Sequence, residues 1–531
     1  MSKTIKRILI IAVSILIVTG IVLGGIFSAK NDNGDKSGKS ITVFSWSDYI
    51  YEEWFDGDES ILDIFEEETG ININYVTFAT SEEMYNELIK NPSACDLLCP
   101  SEYMILKMKD EGLIKEFDVP EVYKKNVSPY IVDEFERLGL SSGDKTYACG
   151  YMWGTMGLIY NEDKFDADDF DKWNNLVNNK DFSGKITIKD SLRDTYIMAV
   201  AMVYEDELYE LKNALEVGEK DGKPYSQSDY TVDIEELFNR RDQETIDKVE
   251  EVLLELKPKL HSFEVDAGKD DIITGKIDVN FAWSGDAAFA ISEAEKVGKT
   301  LGYAVPNEGT NVWFDGFVMT LDADVESSIE FLNFISKPIN AAKNMEYIGY
   351  TSVISGDEDF TITYPEENED GEFVYDKDGN LITYDVSYTG IFDWMVQSYE
   401  LDTESVDGYT PVDLSYFYSG TPGDQVVWVQ NSNDKFYAQF PTKDVIDRAV
   451  VMANFGAEDL SRLNEMWNRV KLLTFEPWVM ILIFAVIIIG IAFIVIFKFK
   501  DKIFDKKVPD SSRKVRRKGY KVIKIENVKT N

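Results

Sequence analysis

The chain has 531 residues and a formal net charge of −42, and 44% of its residues are hydrophobic. This length and apolar content support two or three packed domains and exclude a disordered chain. The acidic charge repels nucleic acid and attracts cations, and a single histidine leaves little for general base chemistry. We therefore predict a protein that binds no nucleic acid, is not an enzyme and needs no cofactor or metal.

Two apolar segments, residues 8–27 and 477–497, are long enough to cross a bilayer. Lys and Arg flank the outer end of each, so the positive-inside rule predicts that both chain ends, including the basic tail 498–531, are cytoplasmic. A cleaved signal peptide is the alternative for the first segment, but that segment is longer than a usual signal core and lacks an A-x-A pattern before Lys30. We predict a cell-membrane protein whose body lies on the extracellular side, after a polar linker at 31–40.

The body begins with alternating strands and helices. Short apolar runs of strand type, separated by segments of helical periodicity, are typical of an α/β sheet. The predicted elements are, in order, strand 41–45, helix 61–68, strand 71–77, helix 82–90, strand 95–99 and a helix that ends at Met108.

The same alternation continues after residues 147–161, whose apolar strands with glycine breaks could carry the chain from one lobe to another. The predicted elements that follow are strand 185–188, a helix from Thr195, a variable helical insertion at 205–245, helix 247–256, strand 276–282, a helix after Trp283, strand 302–306, strand 312–320 and helices 327–336, 340–347 and 457–472. This order predicts a second α/β lobe that begins after the crossing strands.

Residues 357–434 give few signals. A hairpin at 373–383 that turns on Asp378 and Gly379 is predicted. The sequence DKDGN at this turn also suggests calcium, but the spacing of an EF-hand is missing, so we favour a turn. Cys99 and Cys149 could form a disulfide if their segments are neighbours; buried free thiols are the alternative.

Two stretches, ITVFSWSDY at 41–49 and VWFDGFVMT at 312–320, place a Trp and an Asp beside a strand. An aromatic face attracts a cation and covers its methylenes, while a carboxylate supplies the charge that a desolvated ammonium needs. This pairing predicts a site for a positively charged ligand.

Several of these residues also have structural interpretations. Trp46 and Trp283 are of a type that often belongs to the core, and Asp190 could cap the following helix. Arg193 could neutralise Asp194 or position the acids. For Asp315, which lies between aromatic residues, we favour a role in ligand binding.

Eight segments in a consistent order resemble the polyamine (spermidine/putrescine) substrate-binding proteins of bacterial ABC importers. The segments are FSWSDYI, SEEMYNELIK, CDLLCPSEYMILKM, YMWGTMGLIYN, KDSLRDTY, NFAWSGDAAFAI, VWFDGFVM and IGYTSV. They cover most of residues 41–356, with a weaker likeness at 435–472. The resemblance implies a two-lobed periplasmic-binding-protein-like fold of type II, with a ligand cleft between the lobes.

The resemblance also implies lobe boundaries and a ligand site. Residues 41–152 would form the first lobe, completed by about 311–340, and residues 153–305 the second, completed by about 341–470. The implied ligand-binding residues are Trp46, Ser47, Asp48, Tyr49, Ser101, Tyr103, Asp190, Asp194, Trp283, Trp313, Asp315 and Tyr350. Asp48 and Asp194 are one methylene shorter than the Glu expected at those positions, which leaves putrescine and spermidine as alternatives.

The resulting hypothesis is a membrane-anchored extracellular polyamine-binding component of an ABC importer. It would capture the polycation between its lobes and deliver it to the permease subunits. One alternative keeps the fold but binds a sugar or another small solute. A second is a sensor ectodomain that signals through the cytoplasmic tail, whose basic residues more simply contact anionic lipid headgroups.

Overall fold

The computed structural model describes residues 38–472, except 54, 56–57, 369–372 and 431–433. The predicted spans at 8–27 and 477–497 and the basic tail lie outside these residues. Within the described part of the chain, no helix combines the length and the apolar character that a bilayer crossing requires.

Strands of the described residues fall into one large sheet and several small ones. The strands are β1 (Ser40–Trp46), β2 (Asn72–Phe78), β3 (Leu97–Leu98), β4 (Ile114–Lys115), β5 (Phe117–Asp118), β6 (Ser141–Ser142), β7 (Lys145–Thr146), β8 (Ala148–Asn161), β9 (Ile186–Lys189), β10 (Glu219–Lys220), β11 (Lys223–Pro224), β12 (Leu260–Glu264), β13 (Val279–Trp283), β14 (Leu301–Ala304), β15 (Thr310–Thr320), β16 (Thr351–Ser352), β17 (Asp359–Pro365), β18 (Thr383–Thr389), β19 (Thr410–Asp413), β20 (Val426–Val429) and β21 (Ala449–Val450).

Helices alternate with these strands along most of the chain. The α-helices are Ile61–Thr69, Ser81–Lys90, Glu102–Asp110, Glu121–Asn126, Pro129–Arg137, Asn175–Asn178, Leu192–Val203, Glu205–Val217, Gln227–Phe238, Gln243–Leu256, Ala267–Ile273, Ser284–Lys296, Val325–Ile335, Pro338–Ile348, Ile391–Ser398, Ser415–Tyr418, Asp434–Gln439, Lys443–Asp447 and Ala457–Lys471. The alternation confirms the predicted α/β class.

The large sheet has the order β12-β9-β13-β8-β15-β3-β1-β2. One half contains the parallel strands β2, β1 and β3, and the other contains the parallel strands β13, β9 and β12. Between them, β8 and β15 pair with each other in antiparallel orientation along most of their length. The two α/β halves are therefore joined by two long strands, and the carboxyl ends of β1, β9 and β13 each lead into segments that line the site described below.

The helix Ile61–Thr69 illustrates how local sequence determines these elements. Ser60 Oγ accepts the backbone N–H of Asp63, and Gly70 ends the helix with a left-handed φ of 69°. The side chain of Phe65 is fully buried and packs edge-on against two phenylalanines of the helix Val325–Ile335. Burial of such a ring contributes about 1.5–3 kcal/mol.

Most element bounds agree with the sequence-based predictions to within a few residues. The helix predicted from Thr195 begins earlier, at Leu192, because the Ser191 hydroxyl accepts the N–H of Asp194 and caps it. The strands predicted within 147–161 are a single strand, β8, which is buried up to Tyr160. A strand covered on both faces reads as a continuous apolar run, so its glycines do not break it.

The disulfide left open by the sequence is absent, since Cys95, Cys99 and Cys149 are all buried free thiols. Burial raises the pKa of Cys95 to about 12 and raises the pKa values of Cys99 and Cys149 well above the usual value for a thiol. These side chains therefore behave as small core residues.

The predicted hairpin turn in the 357–434 segment is present at the end of a longer ribbon. Strands β17 and β18 pair in antiparallel orientation, and a further bridge joins Tyr375 to Leu381. Asp376 Oδ1 accepts the backbone N–H groups of Asp378 and Asn380 at 2.8 and 2.9 Å. The acidic residues at this tip thus stabilise a tight turn.

Candidate functional site

Aromatic and acidic side chains from both halves of the large sheet meet in one buried region. We call this set the central cluster; it consists of Tyr49, Tyr103, Asp194, Trp283, Trp313, Asp315 and Tyr350. All of its members belong to the site that the sequence predicts. The contacts below join them to one another.

Asp315 is the most confined acid of the central cluster, with 6% of its surface exposed. It lies in β15 and forms an isolated bridge with Ser101, which precedes the helix Glu102–Asp110. Tyr49 Oη donates to Asp315 Oδ2 at 2.8 Å, and the side chain of Ser101 also hydrogen-bonds to this acid, but no Lys or Arg of the described residues pairs with it. Burial, together with the nearby Asp194, raises the pKa of Asp315 to about 6. Such a carboxylate favours a cationic donor, because an unpaired buried charge is costly.

An irregularity in the pairing of β8 with β15 positions Tyr49 against this acid. The register changes between Asp315 and the next residue of β15, so that Tyr151 is the extra residue of β8. Tyr151 Oη donates to the backbone O of Tyr49 at 2.8 Å, and the two rings meet edge-on at 5.5 Å. The bulge therefore fixes the loop that follows β1.

Three rings form a wall beside Asp315. The centroid of the Tyr350 ring lies 5.5 Å from that of Tyr49 and 5.5 Å from that of Trp313. Trp313 Nε1 donates to the backbone O of Thr155 at 3.4 Å. A β-carbon on Gly285 would lie 2.4 Å from the Tyr350 ring, so only glycine leaves room for this ring. Edges and faces of this kind can cover the methylenes of a cationic chain.

Asp194 approaches Asp315 from the first turn of the helix Leu192–Val203. It is buried, and burial raises its pKa. Its neighbour Arg193 does not act mainly as its partner: the guanidinium lies 3.8 Å from the centroid of the Tyr103 ring and donates to the backbone O of Ala453 at 3.1 Å. Arg193 therefore supports the aromatic side of the site.

A second buried group, which we call the lysine cage, consists of Lys189, Glu264, Trp283 and Asp286. Lys189 Nζ lies 2.9 Å from Asp286 Oδ2, 3.3 Å from Glu264 Oε1 and 4.1 Å from the centroid of the Trp283 ring. It also donates to the backbone O of Val265 at 2.7 Å. Burial alone would lower the pKa of Lys189, but the two carboxylates raise it above its ordinary value. The lysine is therefore a fully paired, charged ammonium.

The lysine cage and the central cluster share contacts. Tyr350 Oη donates to Asp286 Oδ1 at 3.0 Å. Burial raises the pKa of Asp194, and Lys189 and a hydrogen bond from Trp283 oppose that rise. The two groups are thus electrostatically coupled.

Glu102 adds a further buried carboxyl next to Asp315. Its Oε2 accepts the backbone N–H of Phe314 at 3.0 Å, and it is completely buried. Burial raises the pKa of Glu102 to about 8, so this side chain is mostly neutral at pH 7.

The structure does not bury every residue of the predicted site. Ser47, Asp48 and Asp190 are exposed. Asp48 adopts a left-handed backbone conformation, with φ of 51°, in the turn after β1. Trp46 is half-buried and packs on the core, in agreement with the structural alternative. Ser191 rather than Asp190 caps the following helix.

Lys189, Glu264 and Asp286 were not predicted as site residues, although the sequence contained a signal for them. Lys189 and Glu264 are the last residues of β9 and β12, and Asp286 lies in the first turn of the helix after Trp283. A charged residue that ends a buried strand is unusual, because lysine and glutamate are rarely buried unless they are paired. That pattern indicates a buried ion pair.

A separate pocket of about 660 Å³ lies away from the central cluster, and none of the predicted site residues lines it. Its walls include Lys125, Asp357, Asp393 and Tyr418. The 357–434 segment thus lines a pocket that is separate from the central cluster.

Comparisons with known proteins agree with this architecture. The family model described as a bacterial extracellular solute-binding protein matches residues 60–364, more than half of the chain. The putrescine-binding periplasmic protein PotF of Escherichia coli is 24% identical over 344 residues, which cover 63% of this chain and 83% of PotF.

Two solved structures have a similar fold. A putative spermidine/putrescine ABC transporter protein from Listeria monocytogenes is 24% identical with a TM-score of 0.54, covering 82% of this chain and 99% of its own. The spermidine/putrescine substrate-binding protein PotD from Streptococcus pneumoniae is 22% identical with a TM-score of 0.51, covering 82% of this chain and 98% of its own. The resemblance predicted from the ordered segments is confirmed.

Proposed function

This chain belongs to the family of bacterial extracellular solute-binding proteins, and we propose from that premise that it binds a polyamine for an ABC importer. The relatives named for putrescine and spermidine support this choice of ligand. The central cluster would be the binding site, with Asp315 at a ligand ammonium.

One observation carries the proposal: Asp315 is buried, and no Lys or Arg of the described residues forms an ion pair with it. A carboxylate that loses its hydration costs several kcal/mol unless a charged donor replaces the water. A ligand ammonium supplies that donor, and a charge-assisted hydrogen bond returns about 1.5–3 kcal/mol.

The surrounding rings suit the apolar part of the same ligand. Tyr49, Trp313 and Tyr350 can cover the methylenes between two amines, at roughly 0.8 kcal/mol for each buried CH₂. A desolvated contact between a cation and a ring adds about 2 kcal/mol. Asp194, whose charge acts on Asp315, supplies a second acid.

A sugar explains the site less well. Sugars also pack on aromatic rings, but a neutral ligand would leave the negative charge of Asp315 buried without a counter-charge. A sensor function depends on the basic tail, which lies outside the described residues.

Capture requires the two halves to separate, because Asp315, Asp194 and the rings of Tyr49 and Trp313 are buried. Strands β8 and β15 connect the halves and would act as the hinge between a first lobe, 41–152 with 311–340, and a second lobe, 153–305 with 341–470. Closure on the ligand would distinguish the loaded from the empty form for the permease subunits. We further propose that the protein is held at the cell membrane through its apolar segments 8–27 and 477–497.

Isothermal titration calorimetry of the full-length protein in detergent, with putrescine, spermidine and glucose, tests the proposal. We expect both amines to bind and glucose to give no heat. Asp315→Asn should weaken amine binding at least about tenfold, because it removes the charge from one charge-assisted hydrogen bond.

Asp163→Asn is the matched control, since Asp163 is an exposed aspartate. It should bind like the unaltered protein. Amine affinity that is the same in Asp315→Asn and in the control would remove Asp315 from the site, and binding of glucose alone would refute the polyamine proposal.

A further inference from the structure

Lys189 is an unusual residue for the interior of this protein. Only 1% of its surface is exposed, yet it is charged and lies at the end of β9 in the lysine cage. Three oxygen atoms and the face of Trp283 surround its ammonium group. These are the partners that a bound alkylammonium ligand requires.

We propose that Lys189 is a built-in cation that fills one end of the ligand cleft, so that the protein selects a diamine over a triamine. This inference rests on the proposed polyamine function and identifies the residue that sets its specificity.

The acids of the lysine cage are already occupied. Asp286 Oδ2 contacts Lys189, and its Oδ1 accepts from Tyr350. Glu264 Oε1 accepts from Asn280 at 3.1 Å and lies near Lys189, and its Oε2 accepts the backbone N–H of Gly268 at 2.9 Å. In contrast, no Lys or Arg of the described residues forms an ion pair with Asp315.

The balance of buried charge also favours a diamine. Asp194, Glu264, Asp286 and Asp315 are buried acids, and Lys189 and Arg193 are buried bases. Their sum is −2, which matches a diamine; without Lys189 it would be −3, which matches a triamine. Glu102 adds little at neutral pH because it is mostly protonated.

Lys269 does not change this balance greatly. It lies 3.8 Å from Asp286 Oδ1, but about a third of its side chain is exposed, so solvent and salt screen its charge. A third ligand ammonium at this end of the cleft would instead meet the fully buried charge of Lys189. Repulsion of this kind is an effective way to exclude a competing ligand.

Stability alone is a weak explanation for the lysine cage. Replacing a buried ion pair with apolar residues of similar volume is often neutral or stabilising. The coupling of Lys189 to Asp194 means that its charge acts within the central cluster as well as within its own ion pairs.

The test compares the affinities of putrescine and spermidine by calorimetry on the full-length protein. The unaltered protein should bind spermidine no more tightly than putrescine. In Lys189→Met, the preference should move at least about tenfold toward spermidine, because Asp286 and Glu264 become available to a third ammonium. Lys276→Met is the control: Lys276 forms an exposed ion pair with Asp271, and its loss should leave the ratio unchanged.

Lys189→Met leaves two buried acids unpaired and could fail to fold. The second variant, Lys189→Gln, keeps a hydrogen-bond donor beside these acids and still leaves a sum of −3, so it should give the same shift. A ratio that stays unchanged in whichever of these variants folds overturns the inference. So does an unaltered protein that binds spermidine tenfold more tightly than putrescine, whereas binding of neither amine would refute the proposed function itself.

Discussion

At the scale of single residues, the site depends on carboxyl groups whose pKa values are raised by burial toward neutral pH. Burial raises the pKa values of Asp315 to about 6 and of Glu102 to about 8, and it raises that of Asp194 as well. The ionisation of these groups therefore depends on a bound cation, because a nearby positive charge favours the ionised form.

Amine binding should depend on pH through Asp315. An alkylammonium stays protonated below pH 9, whereas Asp315 becomes neutral as the pH falls through about 6. The affinity for putrescine should therefore fall about tenfold between pH 7 and pH 5, measured by calorimetry at constant ionic strength. Glu102 remains largely protonated across this range and contributes little.

Asp315 affects the stability of the folded protein in the opposite sense: lower pH weakens ligand binding but favours the fold. Because its pKa is raised in the folded protein, Asp315 contributes stability that is fully present below its unfolded value near 4 and is lost as the pH rises through about 6. Asp315→Asn should remove the contribution of this group to both dependences, so that the affinity for putrescine changes much less between pH 7 and pH 5 than in the unaltered protein. A pH dependence of binding that persists in this variant would assign the titration to another group.

Sequence reasoning at this scale identified the buried members of the site but not their partners. Trp313 and Asp315 could be found because an aromatic residue and an acid interrupt an apolar strand, and Trp283 because the ordered segments resemble the polyamine-binding family. Asp48 and Asp190 were predicted in the same way, yet both are exposed, since a turn decides which side of the chain a loop residue faces. The burial of Lys189 depends on acids from other strands, which a single sequence does not place together.

At the scale of elements, the helix Ser284–Lys296 connects the lysine cage to the aromatic wall. Its first turn carries Asp286, and Gly285 leaves the space that the Tyr350 ring occupies. The sequence predicted the helix and its start but not the need for glycine, because the ring comes from a distant segment.

Gly285→Ala should weaken putrescine binding at least about fivefold and lower the unfolding temperature. On an open helix this substitution typically stabilises by up to about 1 kcal/mol, but here the added carbon would overlap Tyr350, and overpacking costs about 1–3 kcal/mol. Calorimetry and circular dichroism melting measure the two effects. Gly456→Ala serves as the control, because nothing lies within 4 Å of the added carbon there; equal behaviour of the two variants would contradict the close packing.

At the scale of the whole molecule, strands β8 and β15 join two α/β halves around the buried site. The sequence indicated this arrangement through the alternation of elements and the long apolar run of β8. The sequence predicted only one hairpin within residues 357–434. The short strands and helices of this segment depend on packing against the rest of the protein rather than on a strong local pattern.

Ligand that binds between the two halves should stabilise the folded protein. At a putrescine concentration one hundred times its dissociation constant, the gain in unfolding free energy should be about 2.7 kcal/mol. Scanning calorimetry can measure it, with 1,4-butanediol as the uncharged control of the same chain length. Equal stabilisation by the diol would mean that the ammonium groups contribute nothing.

The three cysteines have a practical consequence. Each is buried, and burial keeps its thiol protonated and unreactive. A maleimide dye would therefore react with a newly introduced surface cysteine and spare the natural ones. A donor and an acceptor fluorophore, one on each half, would then report in real time how far the molecule opens and how quickly it shuts.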